Sequence, residues 1–552
     1  MELNIGLVHE AIAAAVPDRE CIVFRDRRLT WGEVAERTRR LASALHDRGL
    51  GCHTERAELD GHESGQDHLA LYLHNGNEYL EGMIGAYKAR VAPFNVNYRY
   101  VADELAYLLD DAGATAIVFH SAFAPTLAEV LPQLPKLRVL LQVEDGSGHG
   151  LLPGAVDYEE ALAAAAPVLP PVTPSPDDLY ILYTGGTTGM PKGVLWRQAD
   201  IFPAALGGSD PASVEGSSYE AVGEGAFAAT GMVTLPAAPF MHGAGHWIGL
   251  SALHRGNPVV VQSVVDRLDA DDVWSTVARA KVGFLQIVGD AFARPLLQQL
   301  EVKQRAGEAY DLSSLTVVLS GGAALSVAAK EELLDHLPDV MVIDGVGSSE
   351  AGGQMAHIST RGSGASTGSF APAPGSLVLD EELTTVLEAG HEGVGWLAKS
   401  GRIPLGYLGD PEKTARTFPT VGGSRYSVPG DRAKLREDGI VELHGRDSVT
   451  INSGGEKIFA EEVEAAVMRH PDVHDAVVCG RPSEQWGQEV VALVRLRDGA
   501  TTTVADIRAT AGEHLARYKI PKVVVFLPEI VRSPAGKADY RWAKATAAEH
   551  AS

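Results

Sequence analysis

The 552-residue chain is poor in cysteine, has no long apolar run and is short of positive charge. Its three cysteines, Cys21, Cys52 and Cys479, lie far apart and without metal-ligand spacing. That excludes a disulfide framework and a zinc–thiolate centre, and fits a reducing compartment. No stretch of about 18 apolar residues occurs, so no transmembrane helix is expected. The N-terminal "MELNIGLVHEAIAAAVPDRE" has a short apolar run but no basic region before it. It reads as an amphipathic helix rather than a signal peptide. The final "EHAS" carries no address signal, and cytoplasmic is the default location. Lys+Arg total 47 and Asp+Glu 72, a net charge of −25. Such a balance argues against nucleic acid or an anionic membrane as the main partner, while permitting a local basic site.

What is present is core-forming material. Hydrophobic residues make up 45% of the chain and mean hydropathy is −0.01, as in globular proteins. The length implies several structural units. "CIVFRDRRLTWGEVAERTRRLASALHDRGLG" reads as strand, turn and helix, with Thr30 and Glu33 as a capping box and Gly49 at the C-terminal end. The polar "CHTERAELDGHESGQDH" reads as a long loop before "LALYL". Strand-like runs such as "ATAIVFH", "RVLLQV", "VVLS" and "VMVIDG" alternate with Ala/Leu-rich helical segments, the pattern of helix-covered parallel sheets. The prolines of 162–178 mark a surface connector. Beyond residue 370, "GSLVLDEE", "GVGWLAKS" and "REDGIVELHGR" are short strands with turn signals, including Asp438-Gly439, and predict a small β-rich subdomain. The last hundred residues read as a compact α+β unit. The predicted fold class is therefore α/β. A large N-terminal domain of helix-covered sheets with a β-rich subdomain spans 1–445, and a small C-terminal α+β domain spans 449–552.

One short stretch concentrates chemistry: "LYTGGTTGMPKGV", residues 182–194. The glycines tolerate conformations that point several backbone N–H groups inward at an anion. The hydroxyls of Thr184, Thr187 and Thr188 suit phosphate oxygens or a Mg²⁺ shell, and Lys192 adds a point charge. The spacing is not that of the Walker loop. "DLYILYT" before it reads as a strand, and "GVLWRQADIFPAAL" after it as helical past its start.

This stretch is similar to the phosphate loop YT(S/G)GTTGxPKG of the adenylate-forming superfamily, which includes acyl-CoA synthetases, luciferase and peptide-synthetase adenylation domains. The resemblance continues in order over nearly the whole chain. It implies that Thr184, Gly185, Gly186, Thr187, Thr188, Gly189 and Lys192 hold the phosphates of ATP. "LSGGAAL" (319–325) resembles the adenine-side loop, implying contacts from Gly321, Gly322 and Ala323. "DGVGSSEAG" (344–352) resembles YGxTE, implicating Asp344, Gly345, Val346 and Ser349 at the nucleotide and Glu350, with Thr184, at Mg²⁺. Val346 replaces the aromatic ring of many members, and Ser349 the threonine. "VPGD" (428–431) matches the ribose-binding aspartate, Asp431. "GRDSVTINSGGEKIFAEEVE" (445–464) resembles the hinge segment, with Arg446 reaching ribose or phosphate and the pivot within 446–448. Its loop with Ser453, Gly454 and Gly455 would face the thiol. "RSPAGKADYR" (532–541) resembles the motif that carries the catalytic lysine, here Lys537.

The resemblance implies two half-reactions: an acid and ATP give an acyl-adenylate and pyrophosphate, then a thiol takes the acyl group. In the family the small domain rotates between them. No carrier-protein sequence follows Lys537, so a separate acceptor is expected, coenzyme A first; a homodimer is compatible with this. "PFMHGAGHWIGLSALHRG" (239–256) falls where the acyl pocket is expected, with His242 near the carboxylate and Gly243, Ala244, Gly245, Gly249 and Gly289 leaving volume. No cation is evident there, so the acid is expected to be bulky, apolar and monocarboxylic. The sequence looks most like bacterial fatty-acyl and steroid-side-chain CoA ligases, with a sterol side-chain acid favoured and a long-chain fatty acid next. Alternatives are a luciferase-like or carrier-loading enzyme, or a catalytically silent nucleotide-binding protein.

Overall fold

The computed structural model describes residues 2–184, 190–207, 218–363, 368–446, 449–453, 456–483, 487–515, 517–532 and 536–550. The first helix, Ile5–Ala15, starts where the Asn4 side chain accepts from the Leu7 N–H. The second, Trp31–Asp47, begins at the reciprocal Thr30–Glu33 capping box, and Gly49 follows it with φ +74°. Local chemistry thus sets both ends of the second helix as the sequence predicts.

A five-stranded parallel sheet brings together His68–Tyr72, Ala92–Asn95, Ala116–His120, Val139–Val143 and Val156–Asp157. Its central strands are buried at every position, which is why they read as unbroken apolar runs. A thirteen-stranded sheet forms the largest part of the large domain. Its middle is parallel, running through Glu20–Phe24, Val259–Val261, Thr234–Pro236, Phe284–Ile287, Val317–Gly321 and Met341–Ser348. Beyond Met341–Ser348 it turns antiparallel, through Gly352–Ser359 and Ser369–Pro372 into the β-rich strands Val441–Arg446, Asp431–Leu435, Gly395–Lys399 and Ser376–Leu379. The β-rich subdomain is therefore hydrogen-bonded onto the main sheet.

The stretch around the glycine–threonine loop differs from the expectation. Leu179–Thr184 is a strand, but Lys192–Arg197 is its antiparallel partner rather than the start of a helix. Leu195 and Val194 also pair with Gly406 and Tyr407 on the far side. Two-sided strand pairing buries Val194, Leu195 and Trp196 completely and outweighs the local preference; helix begins only at Gln198. The loop thus joins two strands of a hairpin, and its residues 185–189 lie outside the described ones.

The C-terminal unit has its own cores. Val473–Ser483 and Gly487–Leu496 form a long antiparallel pair, with Val523–Phe526 parallel to the second strand and helices Ala460–Val467 and Val504–His514 on one face. Helix Tyr540–Glu549 covers the other. The hinge residues 447–448 lie outside the described residues. No helix among the described residues is long and apolar enough to cross a membrane.

Candidate active site

One cavity of about 1150 Å³ opens at the carboxyl ends of the parallel strands of the large sheet. Ligand sites gather there because loops leave the sheet at those ends while the strands stay rigid. Its wall includes Thr184 from the hairpin, His242, Gly321 and Gly322, the run Gly345–Ser349, and Lys537 from the C-terminal unit. Motifs spread over 350 residues of sequence therefore meet in one space.

The turn 238–242 carries His242 and is held from the other sheet. The Asn75 side chain donates to the Ala238 carbonyl (2.9 Å) and accepts from the Phe240 N–H (2.6 Å). Asn95 donates to the carbonyls of Met241 (2.7 Å) and Tyr183 (2.9 Å) and accepts from the Tyr183 N–H (2.8 Å). Two buried amides thus lock the His242 turn to the strand that leads into the glycine–threonine loop. Neither asparagine is conspicuous in sequence, although each closely follows an apolar strand run.

His242 caps the helix Gly243–Leu253, and its Nε2 atom is shielded without a hydrogen-bond partner among the described residues. Desolvation, aided by the positive charge of Lys537, pushes its pKa down to about 3. At neutral pH it is an uncharged imidazole beside a cation. His246, one turn on, is built in: Tyr180 bonds its Nε2 and the Phe240 carbonyl its Nδ1.

Glu350 is half-buried, with Tyr407 Oη donating to its Oε1 at 2.8 Å and Ser427 Oγ donating to its backbone carbonyl at 2.5 Å. Lys413 lies over the Tyr407 ring at 4.1 Å and feels both Glu350 and Lys192. Lys192 is 3.1 Å from Asp111, which also accepts from Tyr183 Oη at 2.9 Å. Trp196 Nε1 donates to the Ser349 carbonyl, fixing the strand end before Glu350. Thr184 and Glu350 offer only hard oxygen donors, the chemistry suited to a Mg²⁺ ion that keeps part of its water.

Other sequence-predicted residues are placed as follows. Asp344 is buried against Lys330 at 2.7 Å, and neither it nor Ala323 forms part of the cavity wall. Asp431 begins a strand opposite Arg446, and Ser453 is buried in the strand Ile451–Ser453. Gly185, Gly186, Thr187, Thr188, Gly189, Gly454 and Gly455 lie outside the described residues.

The glycines expected to hollow the acyl pocket divide. Gly243 and Ala244 line the cavity; Gly245, Gly249 and Gly289 do not. A Cβ on Gly245 would sit 2.5 Å from the Pro239 carbonyl oxygen, so that glycine serves close packing under the His242 turn. Gly289 has φ +53°, and its Cβ would meet the Ala324 carbonyl oxygen at 2.4 Å. Gly289→Ala is therefore expected to destabilise the fold by about 2 kcal/mol or more, through strain and backbone collision. Urea unfolding of the variant checks this; a stable variant with altered acid-length preference would instead restore Gly289 to the pocket.

Buried neutral histidines also make an acid limit. His120, His246 and His254 are held down to about 4, and His242 to about 3, against an ordinary value of 6.5. Burial is the main cause for each. Below pH 6.5 the unfolded chain binds protons that the folded chain refuses, so stability falls as pH drops from 6.5 toward 4 and is fully present above that window. Each such histidine contributes a slope of about 1.4 kcal/mol per pH unit. Urea midpoints near pH 7 and near pH 5 should differ clearly, and equal midpoints would contradict the assignment.

The AMP-binding enzyme family matches residues 9–408 and the AMP-binding enzyme C-terminal domain matches residues 462–537. The chain is 56% identical over 542 residues to the medium-chain acyl-CoA ligase Mig of Mycobacterium avium, covering 98% of each. It is 39% identical over 548 residues to a 3-oxocholest-4-en-26-oate–CoA ligase of Rhodococcus rhodochrous, covering 99% of this chain and 96% of the relative. Among solved structures, it resembles the anthranilate CoA ligase AuaEII in complex with anthranoyl-AMP (TM-score 0.82, 22% identity, 99% and 98% covered). It also resembles ATP-bound MatB from Rhodopseudomonas palustris (TM-score 0.79, 21% identity, 99% of each).

Proposed function

The chain belongs to the AMP-binding enzyme family, and from that premise we propose that it is an ATP-dependent acid–CoA ligase that activates a bulky apolar monocarboxylic acid through an acyl-adenylate. The observation that carries this reading is the single cavity whose wall joins Lys537, His242, Thr184 and Gly345–Ser349 to a long apolar helix face. A sterol side-chain acid is the favoured substrate, with medium- and long-chain fatty acids next. The Rhodococcus relative is named for the first and the Mycobacterium relative for a medium-chain acid. We read the enzyme as acting in the cytoplasm, and a homodimer fits that reading.

The chemistry sets the demands on the residues. The acid's carboxylate attacks the α-phosphate of ATP, forming a C–O–P linkage and expelling pyrophosphate. Two anions must meet, so the site must supply positive charge. The glycine–threonine loop amides and Lys192 would hold the phosphates, and Lys537 would face the carboxylate and α-phosphate together. His242 would sit at the carboxylate as a neutral hydrogen-bonding group, adding no charge to compete with Lys537. Glu350 and Thr184 would hold Mg²⁺, which when bound offsets phosphate charge. Gly321, Gly322 and Val346 would receive the adenine, Asp431 the ribose hydroxyls, and Arg446 ribose or phosphate. In the second step the thiol of coenzyme A adds to the acyl carbonyl and AMP leaves, with the loop carrying Ser453 facing the thiol.

The test is a pyrophosphate-release screen over fatty, aromatic and steroidal acids, with and without coenzyme A. Acid-dependent pyrophosphate release with acyl-CoA formed only when coenzyme A is present supports the reading. Light or oxidation products, acyl transfer only to a carrier protein, or nucleotide binding without turnover would each replace it.

A further inference from the structure

The helix Gly243–Leu253 forms one long wall of the cavity. Gly243, Trp247 and Ser251 recur along one face at four-residue spacing, and Arg255 continues that stripe just past the helix end. His242 stands at the opposite end. Eleven residues at a rise of about 1.5 Å each put about 16 Å of wall between them. The sheet has the same polarity. Met232, just before its strand, and Phe284, at the start of the neighbouring parallel strand, lie at the Arg255 end; Ala238 and Val288, past the strand ends, lie at the His242 end.

The Arg255 end is not simply apolar. Its guanidinium has no ion-pair or hydrogen-bond partner among the described residues, and no carboxylate offsets its burial. Asn257, two residues on, lines the same end, and its Oδ1 is shielded without a partner among the described residues. Arg436, a further cation in the wall, is already bonded to Asp438 at 2.7 Å. A half-buried cation with no partner among the described residues and a shielded amide oxygen, in the same wall as Met232 and Phe284, call for a polar group from the ligand, because unpaired buried polar groups are costly.

We propose that Arg255 and Asn257 form the distal end of the acyl site and select acids that carry a neutral oxygen, a ketone or hydroxyl, at the end remote from the carboxylate. This rests on the acyl-CoA ligase reading above. A neutral oxygen is favoured over a second carboxylate. It loses little hydration on entering an apolar end and gains a charge-assisted hydrogen bond from the guanidinium. A carboxylate would need more donors than one arginine and one amide to offset its desolvation. The sequence expectation of a pocket with no cation is corrected accordingly: Arg255 stands in the cavity wall.

The test uses three acids of equal length: a plain fatty acid, its counterpart with a ketone next to the far end, and the α,ω-diacid. Binding is measured by calorimetry and turnover by pyrophosphate release, on the wild type, Arg255→Met, Arg255→Lys and Asn257→Ala. The wild type should prefer the keto acid over the plain acid by about 10- to 100-fold, the scale of a hydrogen bond to a charged group. Arg255→Met should bring that ratio close to one, and Arg255→Lys should restore part of it. An unchanged ratio in Arg255→Met, or a wild type that prefers the diacid, overturns the proposal. If Arg255→Met does not fold, the same ratio in Arg255→Lys and Asn257→Ala decides: it must fall in both. Discrimination in binding without acyl-CoA formation would refute the ligase reading and leave the Arg255 assignment standing. Turnover without discrimination would do the opposite.

Discussion

Lys537→Ala should lose about three powers of ten in acyl-adenylate formation while still converting supplied acyl-adenylate and coenzyme A to acyl-CoA. Lys537 lines the cavity, although most of the C-terminal unit lies outside it, and its charge is felt at His242. The neighbouring Gly536 explains how it gets there. A Cβ on Gly536 would come within 2.8 Å of Ala291, so the chain lies tight against the helix Gly289–Ala306 of the large domain. A unit charge pair at 4 Å with an effective dielectric near 20 is worth about 4 kcal/mol before desolvation. That corresponds to about a thousandfold in rate if it is expressed in the transition state, where negative charge builds on the bridging oxygen. In the proposed second step the C-terminal domain has turned and the lysine no longer faces the acyl carbonyl. The two half-reactions are therefore measured separately. Equal slowing of both would sink the domain-alternation assignment.

Glu350→Gln should reduce adenylate formation by about a hundredfold or more, with a smaller loss at very high Mg²⁺ concentration. The amide keeps the shape of the carboxylate and can still accept from Tyr407 Oη, so the strand-end geometry should survive. What it removes is the negative charge that would hold the ion. Tyr407→Phe provides the contrast, since it deletes the hydrogen bond and leaves the charge. If Tyr407→Phe is as damaging as Glu350→Gln, the residue acts by anchoring the segment after Met341–Ser348 and not through the metal. Retained pyrophosphate release at ordinary Mg²⁺ in Glu350→Gln would remove Glu350 from metal binding altogether.

Much of the proposed site was legible because its chemistry is local. A phosphate-binding loop needs glycines, hydroxyls and a cation within a dozen residues, and 182–194 displays them together. Adenine-side glycines, a strand-end acid at Glu350 and a lysine in a glycine turn at Lys537 are likewise short-range requirements of the backbone. The helix at 31–47 could be bounded from its caps alone, and the alternation of apolar runs with helical segments was enough for helix-covered parallel sheets.

Other features depend on distant neighbours. Lys192–Arg197 is a strand because it is paired on both sides, by Leu179–Thr184 and by Gly406–Tyr407, more than 200 residues further on. Gly289 looked like pocket volume, yet its positive φ and the nearby Ala324 carbonyl show that it serves close packing. Asn75 and Asn95 position the His242 turn through hydrogen bonds across 146 to 165 residues.

By itself, then, the sequence determined the fold class, the order of the motifs and the type of reaction they serve, because each of those rests on residues close together in the chain. Which residues share a cavity was decided only by the tertiary structure. The helix Gly243–Leu253 buries Gly245, His246, Gly249 and Leu250 in the protein, and that packing leaves the face from Gly243 through Trp247 and Ser251 on the cavity. Strand register, set by long-range pairing, brings Gly321 level with Gly345 and turns both toward that same space.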